Sequence, residues 1–162
     1  MSTEEFHIDA EHQPLEFALL ACDLLSEQSL DPNDATELSA EALTGGFQIA
    51  LQIGDRLTLH LAYNEATAQY IGTVCTDQRS LTPRHLALAL SLNSLMPARR
   101  RFDLNVATGD LQLSETWPAN GLAMGDLAAG LDVLIQSFDA LILGNEAAAP
   151  PPTASSMAGI KA

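Results

Sequence analysis

The sequence predicts an α+β fold: a five-stranded antiparallel sheet with three helices, in the order α-β-β-β-α-β-β-α, assembled as a homodimer. Three observations predict it. Apolar and polar residues alternate from Phe47 to Cys75, the period of strands with one wet face. Thr82-Pro83 then opens a helix between that strand block and a second one. This middle helix carries leucines on opposite sides, more than one sheet can cover. Strands and helices in separate blocks favour α+β over a parallel sheet.

Residues 1–13 read as a flexible polar N-terminus. Pro14 suits the first turn of a helix that runs to about Glu27. Residues 28–45 read as a long acidic connection, with Asp31-Pro32-Asn33-Asp34 as a turn and room for one helical turn around Ala35 to Leu43. Phe47, Ile49, Leu51 and Ile53 form one face of the first strand, and Leu57, Leu59, Leu61 and Tyr63 one face of the second. After a turn at Asn64 to Thr67, a third strand covers Ala68 to Cys75. The middle helix extends to about Met96 and stops before Pro97. Phe102, Leu104 and Val106 make a fourth strand. Ala107-Thr108-Gly109-Asp110 turns the chain into a fifth, which carries Leu111 and Leu113 and ends at Trp117-Pro118. The last helix covers Met124 to Leu143, with Gly144-Asn145 as its C-terminal cap. Residues 14–144 are thus one domain, and the Ala/Pro/Ser-rich stretch 145–162 reads as a disordered tail.

Charge narrows the function. With 21 acidic residues against 7 basic ones, the net charge is −14. Phosphate binding needs clustered Lys and Arg, so nucleic acid is excluded as a partner, and so is a polybasic membrane contact. No apolar run approaches the roughly 18 residues that span a bilayer, so no membrane insertion is expected. The polar start Met1-Ser2-Thr3-Glu4-Glu5 does not read as a signal peptide, and Cys22 and Cys75 lack CxxC spacing. A bacterial cytoplasmic location with reduced thiols is the expectation. The first basic residue is Arg56, preceded by 12 acidic ones. That acidic part reads either as a solvated surface or as a receiver for a basic partner.

The helices differ in their faces. The last has one apolar side, Leu127, Leu131, Leu134, Phe138 and Leu141, as expected of a helix packed on a sheet. On the middle helix Leu86 and Leu90 lie on one side, with Leu88, Leu92, Leu95 and Met96 on the other. Leu88, Leu92, Leu95, Met96 and the following Phe102 are therefore the expected dimer interface. The first helix sets Leu15, Ala18, Leu19 and Cys22 against Phe17, Leu20, Ala21 and Leu24. Phe17, Leu20 and Leu24, bordered by carboxylates, are the expected client-binding residues.

Catalytic signals are weak. The sequence holds no GxSxG elbow, P-loop or GxGxxG run, so no catalytic residue and no cofactor is assigned and a non-enzyme is expected. His7, Asp9, Glu11 and His12 could touch a metal, but no metal site is assigned to them. His60 reads as a surface histidine and His85 as solvated or interfacial. Cys22 reads as an inert core thiol. Asp103 and Glu115 read as outward carboxylates on paired strands. Arg99-Arg100-Arg101 reads as a cap on the carbonyl end of the middle helix or as a partner for acidic groups.

Leu86 to Leu95 with Leu92-Asn93 near its end, the Phe102–Val106 strand, the Thr108-Gly109-Asp110 turn with Leu111-Gln112-Leu113, and Gly125-Asp126-Leu127 to Ile142 together resemble one family. The chain resembles class I type III secretion chaperones, the Tir-chaperone or CesT-like group, over Pro14 to Leu143. The resemblance implies a small acidic cytoplasmic homodimer that binds the N-terminal region of a secreted effector. The effector segment would be held in extended form, soluble and competent for export, without a cofactor. It implies the secretion-apparatus ATPase as a further partner. A dimeric ligand-sensing or enzyme-accessory domain of the same fold is the alternative.

Overall fold

The computed structural model describes residues 8–28, 36–54, 57–76, 82–105 and 107–141. Three helices and an antiparallel sheet form an α+β fold. The order is α1 (Pro14–Gln28), β1 (Thr36–Leu43), β2 (Gly46–Ile53), β3 (Leu57–Asn64), β4 (Gln69–Thr76), α2 (Pro83–Asn93), β5 (Arg100–Leu104), β6 (Leu111–Pro118) and α3 (Met124–Asp139). The sheet runs β1-β2-β3-β4-β6-β5, so the chain leaves β4 through α2, lays down β5 at the far edge and returns to pair β6 with β4. The expected end of the fourth strand at Val106, the last residues of the final helix, the 145–162 tail and His7 lie outside the described residues.

The sheet has six strands, not five. The extra one, Thr36–Leu43, occupies what was expected to be a connection with a helical turn. Glu and Ala favour helix, but here Leu38, Ala40 and Ala42 alternate with Glu37, Ser39 and Glu41, and all eight residues pair with β2. Pairing with a formed neighbour outweighs the local preference. Thr44-Gly45 closes this hairpin in two residues, with Gly45 in the left-handed region at φ 81°.

Alternation places Ile49, Leu51, Leu59, Leu61, Val74, Leu111 and Leu113 on one buried face. There α3 packs on β4 and β6, and α1 packs on α3. Aromatic rings link α1 to the sheet: Phe17 lies 5.9 Å from Tyr70, Tyr70 4.8 Å from Tyr63, and Tyr63 stacks on Phe47 at 5.6 Å. The Tyr70 hydroxyl donates to the Ala10 carbonyl at 2.8 Å, with the Pro14 carbonyl at 3.1 Å as an alternative acceptor. That bond fixes the chain entering α1. A Cβ on Gly130 would lie 2.5 Å from the Trp117 ring and one on Gly72 3.0 Å from it, so both glycines are needed for α3 to close over the indole.

The α2 helix starts as expected. Thr82 accepts the His85 N–H, and His85 Nδ1 accepts the Thr82 N–H at 3.0 Å, a capping box with histidine in the place of Glu or Gln. His85 is buried rather than solvated. At the other end, Asn93 Oδ1 accepts the Phe102 N–H at 2.7 Å and its amide donates to the Phe102 carbonyl at 2.9 Å. Asn93 thus satisfies the outer backbone groups of β5 at Phe102 and ties α2 to that edge.

Candidate functional site

Four surface features are candidates, and the first is α2. Its inward stripe is His85, Ala89 and the half-buried Leu86, Leu92 and Met96. Leu88, Leu90 and Leu95 face outward, the last two 64% and 80% exposed, and Leu104, at the end of β5, on which α2 packs, is exposed as well. Of the residues expected at a dimer interface, Leu88 and Leu95 are thus open, Leu92 and Met96 are shared with the core, and Phe102 is inside. The Phe102 ring lies 6.3 Å from that of Phe138. Leu90 and Leu104 were not anticipated in this role. Leu90 had been paired with Leu86, but the buried stripe runs through Ala89, which turns Leu90 out.

The second feature is a groove of about 610 Å³ beside α1, lined by Ile8, Phe17, Leu20, Leu122 and Met124 among others. Leu20 is exposed and lines the groove, whereas Leu24 is half-buried against the core and is not among the lining residues. Phe17 is only 2% exposed, so the expectation of an exposed Phe17 is corrected. The inward stripe of α1 is Phe17, Ala18, Ala21, Cys22 and Leu25, which cuts between the two expected faces. The order of residues along one helix gives its periodicity but not the rotation at which it docks. Phe17 remains a wall of the groove, whose other wall comes from the loop before α3.

The third feature is strand β1. It ends the sheet, so one of its backbone edges carries no strand among the described residues, and its Leu38 and Leu43 are exposed.

The fourth is a cleft of about 480 Å³ between the β5–β6 hairpin and α3, lined by Arg99, Arg100, Glu115, Trp117, Asp126 and Val133 among others. Glu115 was expected to be an outward carboxylate; it is 1% exposed, on the core face of β6. Arg100, its cross-strand partner, donates through Nε at 2.7 Å, and Arg99 through Nε at 2.9 Å. The arginine run therefore serves an acidic group of its own chain, the second of its two expected roles.

The chain matches no protein-family model and no curated protein. Its functional reading rests on these surfaces.

Asp9, Glu11 and His12 bring ligand atoms within 4.8 Å of one another. Asp9 Oδ1, however, accepts the Glu11 N–H at 2.7 Å and the His12 N–H at 3.3 Å, as a turn cap ahead of α1. The Glu11 N–H bond holds the Asp9 carboxyl below its usual range. Burial pushes the Cys22 thiol up to about 12, consistent with an inert core residue. Burial raises Tyr70 and Tyr63 as well. His60 Nδ1 lies 3.1 Å from the Gln48 amide on the open face of the sheet. None of the helices among the described residues is long and apolar enough to cross a membrane.

Proposed function

We propose that this chain is a class I type III secretion chaperone: a cytoplasmic homodimer that holds the N-terminal region of a secreted effector in extended form. The observation that carries the reading is the apolar surface left exposed on α1 and α2, Leu15 and Leu20 on the first and Leu88, Leu90 and Leu95 on the second. In this reading α2 and Leu104 meet a second copy. The α1 groove takes apolar side chains of the client, and the free edge of β1 offers main-chain hydrogen bonds to an extended segment. A flexible client loses conformational entropy on docking, so a large surface is needed, and a dimer doubles it. The net charge of −14 favours clients with a basic segment and speeds their encounter.

The test is binding of N-terminal segments from secreted proteins encoded beside this one. Leu20→Ser with Leu122→Ser, in a protein shown to remain folded, should weaken a bound segment at least tenfold, mainly through faster dissociation. Failure of every such segment to bind would overturn the reading; unchanged affinity in the double variant would move the site away from the α1 groove. A second reading, a dimeric ligand-sensing or enzyme-accessory domain, has one observation in its favour, the polar cleft beside Trp117.

A further inference from the structure

Around Glu115 two guanidinium groups face one carboxylate. Each arginine reaches it through Nε alone, at 2.9 Å for Arg99 and 2.7 Å for Arg100. No other hydrogen bond or ion pair engages either side chain among the described residues. Their terminal nitrogens, the half of each guanidinium that forms a flat two-pronged donor, are thus left for something else. The cluster carries one net positive charge at the floor of the cleft. Asp126, the other charged residue lining it, pairs with neither arginine. Asp126 stands in the first turn of α3, where it offsets the positive end of that helix, so the cleft's positive charge is local to the two guanidinium groups.

Held by a carboxylate that is 1% exposed, Arg100, itself 19% exposed, is pre-oriented and has little rotamer freedom left to lose on binding, whereas Arg99, 59% exposed, is fixed only at its Nε. The rest of the cleft is mixed: Trp117, Leu122, Val133 and Ala129 give it an apolar side, Asn120 and Asp126 are polar, and the space over Gly130 is already filled by the Trp117 ring. We propose that this cleft binds a carboxylate carried on an apolar stem, with Arg99 and Arg100 holding the acid and Trp117 and Val133 flanking the stem. A free small carboxylic acid and the C-terminus of a peptide share this chemistry. The proposal stands whether or not the chain is a secretion chaperone.

Trp117 is the one tryptophan of the sequence, so its fluorescence reports the cleft directly. The probes are N-acetylphenylalanine, its amide, and a short peptide ending in phenylalanine with a free or amidated C-terminus. The free acids should give a saturable change at millimolar concentration, and the amides at least tenfold weaker binding. A response to the peptide acid alone assigns the site to peptide C-termini; a response to both acids assigns it to small carboxylic acids. Arg99→Gln, which keeps the Arg100–Glu115 pair, should weaken the acids at least tenfold. Val133→Glu, at an exposed position of α3, should do the same by placing a carboxylate within the cleft and needs no change to the buried cluster. No saturable response to either acid, equal response to acid and amide, or undiminished binding in both variants overturns the proposal.

Discussion

At Glu115 the core face of β6 carries a carboxylate between Leu113 and Trp117, both buried. Desolvating an ion is costly, and here two arginines offset the cost. Removing the charge while keeping the shape leaves Arg100, 19% exposed, without its partner. Glu115→Gln should therefore cost on the order of 3 kcal/mol. Replacing Glu115 and Arg100 together by leucine should cost less than the single change, and chemical denaturation of the two variants checks the order. Cys22 gives a second prediction, in pH. Its thiol ionises near 9.0 when unfolded but only at about 12 in the fold. Above pH 9 the unfolded state releases the proton that the folded state keeps, so stability falls as pH rises through that window. The melting temperature of Cys22→Ala should fall less than that of the wild type between pH 9 and 12; parallel curves would count against it. The core role of Cys22 was legible because its neighbours along the helix are apolar. The place of Glu115 was legible in the alternation as well, since it is in phase with Leu111, Leu113 and Trp117; what the strand alone does not show is the arginine pair that makes a buried carboxylate tolerable there.

Among the elements, α2 shows what sequence can fix and what it cannot. Thr82-Pro83 sets its start through local hydrogen bonds and a fixed φ, and both act where they stand in the chain. Which leucines it buries depends on β5, whose Phe102 is held by Asn93, and that contact is tertiary. The same division explains β1. Its Glu-rich sequence is a weak strand former, and only β2 makes it a strand. Phe47, Ile49 and Leu51 announce β2 by their alternation, whereas every described side chain of β1 from Glu37 to Leu43 is exposed and leaves no core pattern to read. An element that buries so little opens at low free energy. Amide hydrogens of β1 should therefore exchange well before those of β3 and β4, which pair on both sides. Equal protection in β1 and β3 would mean that something covers β1, and a bound client segment should produce that protection.

For the whole molecule the question is whether two copies can meet despite their charge. Each chain carries −14, so association works against long-range repulsion. The α2 helix is the place where that repulsion is least, because Pro83–Asn93 contains no acidic residue. In a two-fold contact Leu88, Leu90, Leu95 and Leu104 each count twice. At roughly 1.5–3 kcal/mol for a fully exposed leucine, and less in proportion to exposure, eight of them yield on the order of 10 kcal/mol. That is comparable with the loss of translational and rotational freedom on association, so the balance is close and salt can shift it. The wild type should dimerise at tens of micromolar in physiological salt, and the dimer should tighten as salt screens the two negative fields. Leu95→Asp separates this from folding, since Leu95 is 80% exposed and contributes little to its own core. That variant should be a folded monomer, whereas Phe102→Asp, at a position 2% exposed, should not fold at all. Light scattering with circular dichroism reads both properties. A monomeric wild type would remove the dimer from the functional reading, and a Leu95→Asp variant that still dimerises would place the interface on a different surface, with α2 left as a docking face for the client.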